Sequence, residues 1–294
     1  MKKSSAYLFY FFCSLIPLQG QMVQQRLPES SGIDNHRRTS FNMEEIKVRW
    51  KKASLENCPG VPCVTTPAFT CGTSTISDID GNSYNTLSFG TQCWTKENLT
   101  VTRYNDGTMI PLDNSGGSDG QTGGQNWSSR MAGAYAIYAN EASTGTNAKT
   151  YGFLYNGYAV TDIRKICPAG WHVPSDTEWT SLIQFMDPTA IGSALNIQSA
   201  TAGGMMKSTG TSLWASPNTG ANNLSEFSVL PGGYRNRLSG AFSNISSRAY
   251  FWSATESEIN NVNAWHRELN FNSSNVNRSL NSKSFGASVR CLKD

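Results

Sequence analysis

Apolar positions along the chain fall into three regimes. Lys2 and Lys3 precede a continuous apolar run from Ala6 to Leu18, too short to span a bilayer and laid out as a secretory signal. Cleavage after Gly20 would leave Gln21 as the first mature residue. Residues 21 to about 57 are polar and irregular and read as a flexible leader. Within it, Met43, Ile46 and Trp50 fall on one side of a short helix expected over 43–55, after which Pro59, Pro62 and Pro67 impose an extended path. From Cys71 onward, short apolar-polar alternations separated by Gly, Asn and Asp turns predict a strand-rich α+β domain. The expected organisation is a signal peptide over 1–20, a leader over 21–70 and a folded domain over 71–294.

Within the folded region, Asp80-Gly81 separates two β-capable runs and predicts a hairpin into Tyr84–Gly90. Asn114 to Asn126 is too rich in Gly to pack and reads as a loop, whereas Tyr151 to Val160 reads as core. The helix after Pro174 has the clearest local signature. Ser175 and Glu178 form a capping box, Trp179, Leu182, Ile183 and Met186 make one apolar face, and Asp187-Pro188 stops the helix. Strands are then expected at Phe227–Leu230, Gly233–Arg235, Ala249–Ser253, Ala264–Phe271, Asn275–Arg278 and Ala287–Cys291. Trp265, Leu269 and Phe271 alternate with His266, Glu268 and Asn270, which predicts a sheet with one wet side.

Removing the signal removes Cys13, which lies behind Tyr-Phe-Phe rather than small residues and so is a poor candidate for acylation. Six cysteines remain, an even set that in an exported chain reads as disulfides. They allow 15 pairings, of which proximity and turn signals favour Cys58 with Cys63, Cys71 with Cys93, and Cys167 with Cys291. A zinc site would need a second matching pair or a nearby His beside Cys58 and Cys63, and neither is present.

The formal net charge is +3, and losing Lys2 and Lys3 leaves 22 basic against 21 acidic residues, or +1. That balance argues against nucleic acid as a partner. No later apolar run approaches the length of a spanning helix. Asp78, Asp80 and Asn82 could begin a calcium loop, but the twelfth position is Phe89, so the turn reading is preferred, a structural calcium is unsupported, and no cofactor is implied.

Several ordered segments resemble a known family, the Fibrobacter succinogenes major paralogous domain of exported bacterial proteins. They are Ile79–Tyr84, Gly90–Leu99, Tyr104–Thr108, Tyr151–Tyr155, Cys167–Trp179, Leu230–Arg235, Phe251–Thr255 and Ser288–Cys291. The family pattern has Trp where this chain has Gly157, a departure that implies a locally thinner core or a lost ligand contact. The resemblance extends distantly to C-type-lectin-like domains, including the fold of formylglycine-generating enzymes. It implies a disulfide-stabilised α+β domain with small twisted antiparallel sheets, one or two flanking helices, long loops and neighbouring chain ends. Ligands in that fold bind on the loop-bearing face.

Candidate chemistry is sparse. The formylglycine-generating relatives bind copper through two late cysteines, where this chain has Cys291 alone, and pairing with Cys167 would leave no thiolate. His172 reads as a structural residue at the helix entry, and His266, on the expected polar face, is the better functional candidate. Phe251–Thr255 and Asp187-Pro-Thr replace the calcium-lectin motifs. Arg235 and Arg290 either pair with a carboxylate, snorkel, or meet a charged ligand. The remaining candidate surface combines Asn- and Ser-rich loops with aromatic planes: Tyr234, Arg235, Asn236, Arg237, Tyr250, Trp252, Trp265, His266 and Arg267. The alternative is a solvated loop face over a structural sheet with Trp252 and Trp265 in the core. The sequence therefore points to an exported, non-catalytic recognition or structural module of the cell envelope with a glycan or protein ligand at the cell surface or, alternatively, in the periplasm; the second reading is an enzyme distantly related to formylglycine-generating proteins. It assigns no oligomeric state.

Overall fold

The structure is a computed structural model that describes residues 68–115 and 125–294. The signal peptide, the leader with its expected helix, and the Cys58/Cys63 loop lie outside the described residues. The domain is mixed α/β, mostly strands with a few short helices. A five-stranded sheet has the order β1-β2-β3-β14-β6, from β1 (Thr75–Ser77), β2 (Ser83–Phe89), β3 (Gln92–Thr95), β6 (Trp171–His172) and β14 (Leu292–Lys293). A nine-stranded sheet runs β4-β5-β13-β8-β10-β11-β12-β7, with β9 paired to β8. Its members are β4 (Tyr135–Ala136), β5 (Leu154–Asn156), β7 (Asn196–Ser199), β8 (Gly232–Arg235), β9 (Phe242–Ile245), β10 (Arg248–Glu256), β11 (Asn263–Asn270), β12 (Val276–Ser282) and β13 (Gly286–Ala287). This sheet is larger than the small antiparallel sheets expected, and its β8–β10 pair is parallel.

The hairpin turn between β1 and β2 forms as the pattern predicts. Asp78 accepts the backbone amides of Asp80 and Asn82 through Oδ1 and the Tyr84 hydroxyl, at 2.7 Å, through Oδ2. Its carboxylate is thus consumed by the turn itself. Two expected strands differ. Around Phe227–Leu230 only Val229 bridges, to Lys207. The segment expected as one strand at Ala287–Cys291 instead divides between sheets: β13 ends at Ala287 in one, and β14 begins at Leu292 in the other.

That crossing is fastened covalently. Cys167–Cys291 closes a separation of 124 residues, and Cys71–Cys93 closes 22. β14 lies between β3 and β6, so the last residues complete the five-stranded sheet that β1 to β3 begin. The ends of the described domain meet, with Lys293 Nζ 5.8 Å from the ring of Phe69.

The longest helix, α4 (Asp176–Met186), follows the short α1 (Gln125–Ser129), α2 (Thr146–Tyr151) and α3 (Gly157–Val160) and precedes α5 (Ala202–Met206). Its capping box is complete: the Ser175 hydroxyl accepts the Glu178 amide at 3.2 Å and the Glu178 carboxylate accepts the Ser175 amide at 2.7 Å. Trp179, Leu182 and Ile183 are buried, and Met186 lies at the margin. His172 holds the helix entry as expected, between the carboxylates of Glu178 at 3.0 Å and Asp294 at 2.6 Å. At the first helical position, Asp176 accepts from Arg267 Nη1 and Arg278 Nη2, each at 2.7 Å, so one carboxylate ties the helix to adjacent strands β11 and β12.

The expected wet side of this sheet is wet only in part: Glu268, Asn270, Ser279 and Asn281 keep some exposure, whereas His266 is buried. Ala249, Phe251, Leu269 and Val276 pack with Trp179, Trp94 and Phe227 on one face, while Tyr250, Trp252 and Ala264 join Tyr155 and Phe285 on the other. The buried indole N–H of Trp179 donates to the Trp252 carbonyl at 3.1 Å, and that of Trp252 to the Tyr155 carbonyl at 2.8 Å. Tyr151 to Val160 is core, as predicted. Gly157 leaves no thin spot: a Cβ there would lie 2.7 to 2.9 Å from atoms of Lys283, which fills the space.

Burial pushes the Asp176 carboxyl up, but Arg278 and Arg267 outweigh it and hold the group below its ordinary 3.8. A depressed folded value makes this contribution fully present above the unfolded value and lost as pH falls through the folded one. Asp176→Asn strands two guanidiniums in the interior. It is expected to cost about 3–5 kcal/mol in urea unfolding and to flatten the loss of stability below pH 3.8. Replacing Cys167 and Cys291 together by Ser is expected to cost on the order of 4–5 kcal/mol in the same measurement.

Candidate functional site

A cleft of about 370 Å³ opens where the β8–β9 hairpin overhangs β11 and β12. Tyr234 from β8, Tyr250 from β10, His266 from β11 and Phe285 after β12 form its floor. Tyr234 stacks on Phe285 at 4.9 Å and 24°, and Tyr250 meets both rings edge-on, at 5.2 and 5.4 Å. Phe285 and Tyr250 are buried, while Tyr234 is half-buried and presents its remaining surface to the cleft.

The rim is polar and comes from local turn chemistry. Asn236 Oδ1 accepts the amides of Leu238 and Ser239, which shapes the hairpin loop and sets Arg237 and Leu238 at its tip. Gly233 has φ +66°, and a Cβ there would lie 2.4 Å from the Ser243 carbonyl, so only Gly lets β9 approach β8 this closely. Ser279 and Asn281 from β12 face the cleft opposite, with Glu268 between. Burial raises the Glu268 carboxyl, against the pull of Arg248 at 2.8 Å.

Five of the nine residues singled out in the sequence therefore converge here: Tyr234, Asn236, Arg237, Tyr250 and His266. The other four serve the fold. Arg235 is fully buried, donating to the Gly240 and Ser115 carbonyls, pairing with Asp113 at 3.3 Å and lying over Trp127. Trp252 is core, and Arg267 is clamped by Asp176. Trp265 lies on the opposite face of β11, under the guanidinium of Arg278 at 3.5 Å. Sequence reasoning missed Phe285, and it included Glu268, Ser279 and Asn281 only within the polar stretch from Asn260 to Ser284 without singling them out. The Asn- and Ser-rich composition marked this stretch without indicating which alternate residues would face the hairpin.

His266 departs most from expectation. It is 3% exposed rather than solvated, ringed by Tyr250, Trp252 and Phe285 at 5.8 to 6.2 Å. Its Nδ1 is sealed without a partner among the described residues. Burial, and secondarily the charge of Arg267, push its pKa down to about 4, against a weaker hydrogen bond at Ser279. The imidazole is thus a neutral part of the floor at neutral pH.

Proton NMR of the imidazole should show no titration between about pH 5 and 8, unlike a free His. Because the folded value lies below the ordinary 6.5, the unfolded chain takes up the proton first. Stability is therefore expected to fall as pH drops from 6.5 toward 4, and a His266→Gln variant should lack that slope.

No curated protein and no solved structure matches the chain. The Fibrobacter succinogenes major domain matches residues 87–293. The structure carries the same unit slightly further, since β1 and the start of β2 precede residue 87 yet pair within the five-stranded sheet. The chain belongs to the Fibrobacter succinogenes major domain family.

Proposed function

We propose that this protein is an exported recognition module of C-type-lectin-like architecture that holds a glycan through the cleft under the β8–β9 hairpin. The observation that carries this reading is the half-exposed Tyr234 ring beside Asn236, Arg237, Ser279 and Asn281. An aromatic plane stacks on the apolar face of a sugar ring, while amides, hydroxyls and a guanidinium offer directed hydrogen bonds to its edge. The floor is rigid because each ring packs on the next, so little ordering is required on binding.

Two disulfides are consistent with an oxidising, exported setting. No described helix is long and apolar enough to cross a membrane. A non-catalytic role is supported by how the candidate groups are used: Cys291 is bonded to Cys167, His172 is held by two carboxylates, and the free nitrogen of His266 is sealed. A protein ligand is the second reading. Leu238, 71% exposed, and Leu280 place apolar surface at the lip of the cleft, which suits a peptide more than a sugar.

A glycan array followed by calorimetry tests the proposal. Tyr234→Ala and Asn281→Ala are each expected to weaken binding of a captured glycan about tenfold, equivalent to ~1.4 kcal/mol, with an unchanged melting temperature for Asn281→Ala. Equal affinity of both variants and the native protein would remove the cleft from the function. Capture of no glycan at about millimolar concentration would shift the reading to a protein ligand.

A further inference from the structure

Arg290 has an arrangement unlike the other buried arginines. Arg235, Arg267 and Arg278 each face a carboxylate, Asp113 for the first and Asp176 for the other two. Arg290 is 2% exposed and makes no ion pair among the described residues. Its Nε donates to Asn98 Oδ1 at 3.0 Å and its Nη1 to the Phe227 carbonyl at 2.6 Å, with the Phe227 ring 4.2 Å away. A guanidinium has five N–H donors, and Nη2 has no hydrogen-bond partner among the described residues. Nor is Nη2 among the polar atoms sealed away without a partner. It is the part of the group that reaches the cleft Arg290 floors.

This second cleft, of about 700 Å³, lies between β2, the chain after β3, and α2. It shares no lining residue with the Tyr234 cleft. Asn98 cannot turn away from Arg290, because its amide N–H donates to the Tyr151 carbonyl at 2.8 Å. The two carboxylates on the wall make their hydrogen bonds elsewhere, although the charge of Glu97 still favours the Arg290 cation. Glu97 accepts the backbone and side-chain amides of Asn85 at 2.7 and 2.8 Å, and Asp80 accepts the Thr102 hydroxyl at 2.8 Å and faces Arg103 at 3.4 Å. Lys96 and Lys149 also line the cleft and make no ion pair among the described residues. Hydroxyls of Ser83, Ser143 and Thr150 complete the polar wall.

We propose that this cleft binds a hydroxylated monocarboxylate of the uronic-acid class, its carboxylate on Arg290 Nη2 and its ring hydroxyls against the Ser and Thr side chains. Arg290 feels the charge of Glu97 but makes no ion pair with it among the described residues, and a carboxylate on its open nitrogen is the natural complement. A single free guanidinium nitrogen suits a monoanion, and the nearby carboxylates of Asp80 and Glu97 repel the dianionic charge of a phosphate. Lys96 and Lys149 draw the anion toward the cleft without being buried by it.

The test uses the whole mature protein, with the Arg290 side-chain Nε–Hε resonance followed by NMR during titration with galacturonate, glucuronate, glucose, acetate and inorganic phosphate. Either uronate is expected to shift that resonance saturably with Kd on the order of 1 mM. Acetate should bind more weakly, and glucose should leave the signal in place. A Lys96→Ala/Lys149→Ala double variant, altered only on the surface, is expected to weaken uronate binding roughly fivefold to tenfold. It should leave any ligand of the Tyr234 cleft unaffected. An unmoved Arg290 signal at about 50 mM uronate, an equal response to glucose, or phosphate binding as tightly as uronate would each overturn the proposal. Because no lining residue is shared, failure here leaves the reading of the Tyr234 cleft standing, and the reverse also holds.

Discussion

The carboxylate of Asp176 determines how the helix and the large sheet meet. It sits at the first position of α4, fixed there by the Ser175–Glu178 box, and faces guanidiniums from two neighbouring strands. One carboxylate between two buried cations has a narrow range of workable positions, so the helix axis and the β11–β12 register are set together. The apolar face of α4 then falls on Phe251 and its neighbours, leaving the opposite face of the sheet to Tyr250, Trp252 and Phe285.

From that division follows the sorting of polar side chains into supports and sites. Arg235, Arg267 and Arg278 are neutralised where they cross between elements, and they act as struts in a fold whose described helices are short. The two clefts proposed as binding surfaces lie where the packing stops short of covering an aromatic or a cation. Tyr234 is left partly bare at one such place and Arg290 Nη2 at another. Both depend on chain crossings: the first on a hairpin that a Gly allows to close, the second on the segment that passes from one sheet to the other beside Cys291.

Local signals were legible where a few adjacent residues suffice. The capping box, the Asp78 turn, the aromatic core segment and the two described disulfides needed only spacing and side-chain chemistry to be read. Alternation along β11 was read correctly, with Trp265 and Leu269 on one side and His266 and Glu268 on the other. The inference that the second side is wet failed at His266, because Tyr250 and Phe285 from outside the strand cover it. His266 was accordingly placed in solvent when it is among the most buried polar groups of the domain.

By itself the sequence determined the family, two of the three expected disulfide pairings, and the main helix with its cap. These rest on short-range geometry and on covalent chemistry, which the order of residues specifies directly. Only the tertiary structure decided which Arg is a strut and which is left with an open donor, and which aromatic is core and which is floor. That choice depends on what packs over each side chain from other elements of the chain, and no local pattern records it.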